Sequence, residues 1–80
     1  MAIEKKKLLK LLAEALELEE NAIPIYNRHL KTALFWSGLP AADREQLRIQ
    51  LGILDKESTR HCRILSELTA RIKEDARDVF

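Results

Sequence analysis

The sequence predicts an all-α fold, a long antiparallel two-helix hairpin that dimerises into a four-helix bundle. Three observations carry that expectation. Only two glycines and two prolines interrupt 80 residues, and three of those four lie within or near the middle of the chain. Apolar residues recur at alternating spacings of three and four, which puts them on one side of a helix. Hydrophobic residues make up 46% of the chain and charged residues 34%, so each helix has both a face to bury and a face to solvate.

The first helix is expected from about Ile3 to Trp36. Lys10, Glu14, Glu17, Asn21, Arg28 and Lys31 mark its polar face. The opposite face carries Leu8, Leu12, Ala15 or Leu16, Glu19, Ala22 or Ile23, Tyr26, Leu30 and Ala33. Pro24 removes one backbone donor and crowds the preceding turn, so a local kink is expected there, on the solvent side. The turn is placed at residues 37–40, with Gly38 in the left-handed position that closes a helix and Pro40 in the first turn of the next. Asp43 with Gln46 three residues on offers a capping box as an alternative start. The second helix is expected from about residue 41 to 77, with an inward stripe of Leu47, Leu51, Leu54, Ser58, His61, Leu65, Leu68 and Ile72. Residues 76–80 are expected to fray. The whole of 1–80 forms one domain.

Two helices of that length leave half of each apolar stripe wet when they pair only with each other, and a short chain has little core to compensate. A second copy related by a two-fold axis supplies the missing partner. Other classes are excluded. The formal net charge is +1 with opposite signs interleaved, which gives no electrostatic footprint for nucleic acid. Lys10, Glu14 and Glu17 interrupt the leucine run after Lys5–Lys7, so it is neither a signal peptide nor one of the roughly 20-residue apolar spans that cross a bilayer. The single cysteine, Cys62, has no intramolecular partner, which fits a reducing cytoplasm.

Four polar residues interrupt the inward faces: Glu19 and Tyr26 on the first helix, Ser58 and His61 on the second, with Glu57 one turn before His61. A turn at residues 37–40 sets Glu19 level with Ser58 and His61 one turn away, so these residues share one height in the bundle. A carboxylate enclosed there must be paired, protonated or bound to a cation. Carboxylate plus imidazole is a ligand set that suits iron, manganese or zinc.

Glu19 and Tyr26 seven apart, followed by His61 with Leu65 four later in a His-Cys-Arg-Ile-Leu stretch, resemble the ferritin-like superfamily of ferritins, bacterioferritins and rubrerythrins. The resemblance covers roughly residues 12–70. It implies a four-helix bundle and a metal site in which Glu19 and His61 are ligands and Tyr26 lies nearby. It further implies iron as the cofactor and oxidation of ferrous iron by dioxygen as the activity. The family's Glu-x-x-His motif has Ser58 where its bridging glutamate stands, and Glu57 is the neighbour able to substitute. The expected site is therefore Glu19, His61 and Glu57, with Tyr26 and Ser58 near it, shared across a homodimer or higher oligomer. Beside this stands a metal-free reading, in which Glu19 and His61 satisfy each other and the hairpin is a dimerisation scaffold or interaction module.

Overall fold

The structure, a computed structural model, describes residues 2–80. It is a helical hairpin 56 Å long and about 20 by 14 Å across. The first arm is α1 (Lys5–Pro24), a π-helical turn (Ile25–His29) and α2 (Leu30–Phe35). The second arm is a single 34-residue helix, α3 (Ala41–Glu74). No described helix is long and apolar enough to cross a membrane.

The expected kink at Pro24 is met by a change of helix type. Pro24 is half-buried rather than on the solvent side. With no proline N–H for the Glu20 carbonyl, the Ile25 amide reaches back only to Ala22 O. Beyond it the Leu30 amide bonds Ile25 O, five residues back, which is the π pattern. The arm stays helical and absorbs the proline by widening for one turn.

The turn lies where the breakers place it but closes differently. No described residue, Gly38 included, has positive φ. The α2 end is capped instead by Ser37, whose amide and hydroxyl both donate to Leu34 O, at 3.1 and 2.7 Å. Pro40 takes the N-cap position of α3, ahead of the first turn, and the Asp43–Gln46 capping box does not form. A preset φ at Pro40 and a sidechain cap at Ser37 replace the left-handed glycine.

Residues 76–80 do not fray among the described contacts, and α3 stops at Glu74, short of 77. The end of the chain turns back and pairs with its start. Ile3 and Phe80 exchange backbone hydrogen bonds at 2.8 Å each, and the Lys5 amide donates to Asp78 O at 2.7 Å. The Lys5 ammonium donates to Asp75 O at 2.6 Å and to Lys73 O at 3.2 Å, filling carbonyls that the helix end leaves unpaired. Arg77 binds the Asp75 carboxylate with its side chain and its amide, and its guanidinium lies 4.7 Å from the Phe80 ring centre. This clasp holds the open end of the hairpin.

Those hydrogen bonds, led by the Arg77 side chain and amide and aided by Lys5, hold the Asp75 carboxyl at about 2, below its ordinary 3.8. A depressed carboxyl contributes stability that is complete above its unfolded value and is lost as pH falls through the folded one. The clasp amides of Ile3, Lys5 and Phe80 are thus expected to stay protected from hydrogen exchange at pH 4 and to lose protection as pH falls towards 2. In Asp75→Asn this pH-dependent loss disappears. Protection that instead fades between pH 5 and 4 counts against the clasp.

The seam between the arms is narrow. Leu12, at 8% exposure, is the one described apolar residue that is buried, and Ser58, at 6%, is its polar counterpart on α3. Leu51, Ser58, Leu65 and Ile72 turn towards α1 as the heptad predicts. His61 is half-buried at the edge of the seam, and Leu47, Leu54 and Leu68 turn away from it. The three leucines stay 39–45% exposed, while Asp55, Cys62 and Thr69 take the half-buried positions. The stripe is rotated by about one residue, because small Ser58 and Cys62 let α3 lie closer to α1 than a leucine seam would.

Candidate functional site

Rotation of α3 leaves a second apolar face along one side of the hairpin. On the first arm it carries Leu11, Leu18 and Ile25, spaced by sevens and 46%, 72% and 47% exposed. On α3 it carries Leu54, Ile64 and Leu68, all more than 40% exposed. Periodicity of seven keeps such residues on one line of a helix. Monomeric proteins rarely leave a contiguous apolar face of this length uncovered.

The polar residues singled out in the sequence interrupt this face at its middle. Glu19 Oε1 lies 3.4 Å from His61 Nδ1, and their side chains are 30% and 44% exposed. Glu57 Oε2 lies 4.0 Å from His61 Nε2, the other nitrogen of the ring. The same Glu57 carboxylate accepts from Arg60 at 2.9 Å. An open groove of about 370 Å³ runs beside the pair, lined by Ala15, Leu18, Glu19, His61, Ile64 and Leu65. Partner and height differ slightly from the expected register: His61, and not Ser58, faces Glu19. Ser58 is beneath, in the seam. Tyr26 is half-buried in the π turn, two turns above Glu19, and His29 is exposed.

The pair is therefore not enclosed within one chain. Both groups keep water on one side. Glu57 approaches the opposite ring nitrogen, so it cannot share an ion held at Nδ1. At 4.0 Å it makes no hydrogen bond to the ring, and its carboxylate is held by Arg60. No group of three or more histidine, cysteine or acidic side chains converges on one point among the described residues. Two donors on a common ion, each about 2.0–2.2 Å from it, stand on the order of 3.0–3.5 Å apart. The Glu19–His61 separation falls in that range, and a carboxylate with an imidazole is a donor pair that suits a divalent metal.

Cys62, one step off the expected seam in the sequence, is half-buried beside the pair. Partial burial, and then the Glu20 and Glu19 carboxylates, raise its thiol above the ordinary value. It is a neutral seam residue and not a nucleophile. Comparison with protein-family models, curated proteins and solved structures gives no match.

Proposed function

We propose that two copies of this hairpin associate through the Leu11–Leu18–Ile25 and Leu54–Ile64–Leu68 face and bind a divalent metal ion between them. Iron is the first candidate, with manganese or zinc as alternatives. The observation that carries the reading is the Glu19–His61 pair, spaced as two ligands and half exposed in the middle of an apolar face. One chain offers two donors, and a symmetric second copy doubles them to the four that a closed site needs. Glu19 and His61 would hold the ion, with Glu57 beside the ring and Tyr26 at the rim. Bound iron would supply redox chemistry with dioxygen, the activity that the ferritin-like resemblance implies. The chain's own part is to hold the ion and exclude water from it with the surrounding leucines.

A second reading has its own support. Glu19 and His61 already approach to 3.4 Å within one chain, so as a pair they can set the register of a metal-free dimerisation scaffold. Calorimetric titration of the metal-free protein with ferrous, manganous and zinc ions, under argon, separates the two. Metal binding predicts a site of one ion per two chains and a stabilisation of about 2.7 kcal/mol at a hundredfold excess over Kd. Both effects should vanish in Glu19→Ala and in His61→Ala. If none of the three ions binds, and Glu19→Leu with His61→Leu melts no lower than the parent, the scaffold reading stands in its place.

A further inference from the structure

The two largest exposed aromatics in the chain stand together at the closed end of the hairpin, away from the Glu19–His61 site. Phe35 is 68% exposed and Trp36 79%, and they meet edge to face with ring centres 5.2 Å apart. Leu39, at 43%, adds to the same end. Exposed aromatics held rigidly by one another supply binding area at small entropic cost.

Beside them is an open groove of about 300 Å³, walled by Leu34, Phe35 and Ala41. Lys31, Arg44, Glu45 and Arg48 also line it. Glu45 and Arg48 neutralise each other in a two-pronged ion pair. Lys31 and Arg44 take part in no ion pair among the described residues. Arg44 Nε is shielded from solvent with no acceptor in reach. A shielded guanidinium nitrogen without a partner is costly, and a turn of the side chain towards an incoming carboxylate would relieve it.

We infer that this end of the hairpin docks an acidic, apolar peptide segment of a partner protein, an aliphatic side chain entering the groove and a carboxylate meeting Arg44 and Lys31. A small free carboxylate fits the groove but leaves Trp36 and Leu39 wet, whereas an extended peptide covers them. A bilayer surface is less suited. Electrostatic docking to anionic lipid draws on clusters of about four to eight basic residues, and Asp43 and Glu45 dilute the cations here. A second copy seated on the Leu54–Leu68 face leaves the groove open, because Arg44 and Arg48 share the helical phase of Leu51, Asp55 and Cys62. The docking surface is thus independent of the metal reading.

Trp36, as the lone tryptophan, reports on it directly. The probe is a blocked six-residue peptide alternating aspartate and leucine, titrated against the full chain while Trp36 emission is recorded. The expected result is a saturable blue shift, with amide shift changes by NMR confined to residues 31–48. Lys31→Gln with Arg44→Gln should weaken the peptide about tenfold, and circular dichroism checks that this variant keeps its helix. Replacing aspartate by lysine in the peptide should abolish binding. The inference is overturned by a shift that does not saturate, by equal binding of the lysine peptide, or by amide changes elsewhere in the unaltered chain. It is equally overturned if octanoate binds as tightly as the peptide, or if phosphatidylglycerol vesicles shift Trp36 and the peptide does not.

Discussion

Leu18→Asp is expected to dissociate the proposed assembly and to leave most of the chain unfolded at micromolar concentration. Leu18 is the most exposed leucine of the apolar face, at 72%, so nearly all of its side chain is available to a partner. Burying a leucine is worth about 1.5–3 kcal/mol, and a symmetric dimer loses it twice, roughly 3–6 kcal/mol in all. At about 1.4 kcal/mol per factor of ten, association weakens on the order of a hundred- to ten-thousandfold. Enclosing the new carboxylate adds to the loss. The effect should reach the fold itself, because one chain buries only Leu12 among its described apolar residues. Sedimentation equilibrium and the concentration dependence of Tm check this together. A parent chain that is monomeric with a concentration-independent Tm removes the assembly, and with it the shared site. A Leu18→Asp variant that sediments like the parent moves the interface to another face.

Ser58→Leu is expected to cost about 1–3 kcal/mol by overpacking the seam. Ser58 is 6% exposed, in the seam one turn before His61, so a small side chain is enclosed there between the two arms. A leucine there has no room unless α3 moves away or rolls. Either movement lengthens the 3.4 Å Glu19–His61 separation. The variant should therefore melt lower by several degrees, as expected for a domain of this size, and lose metal affinity without losing a ligand. Ser58→Ala, which keeps the volume close, should leave both nearly unchanged. If Ser58→Leu is as stable as the parent, the close packing of the arms at this height is refuted.

The hairpin and its turn were legible because their signals are local: helical spacing of apolar residues, and Ser37, Gly38 and Pro40 gathered in one place. The Glu19–His61 approach was legible for a related reason, since a short turn fixes which residues of the two arms share a height. The roll of α3 was not. Both Leu47–Leu54–Leu68 and Asp55–Cys62–Thr69 lie beside Leu51–Leu65, and choosing between them depends on how closely the arms pack around Ser58. Hydrophobicity alone favours the leucines; an uncovered face with leucines on it is intelligible only when a further partner is counted. The clasp was missed because polar, charged residues 74–78 read as an end, while its signal is the pairing of apolar Ile3 with Phe80 across the full sequence. Ferritin-like ancestry remains an expectation carried by Glu19, Tyr26 and His61 alone.

The widened turn at residues 25–29 has a consequence for what lengths of chain the first arm tolerates. A π turn houses one more residue than an α turn over the same rise, so the arm carries a spare residue at this point. Deleting Asn27, which is exposed, should let an ordinary α-helix run through, because the π turn coils and rises about as far as an α segment one residue shorter. Phe35 and Trp36 would then keep their bearing relative to Glu19 and the apolar face below. One residue of length can thus be lost at this single turn without re-aiming the closed end of the hairpin.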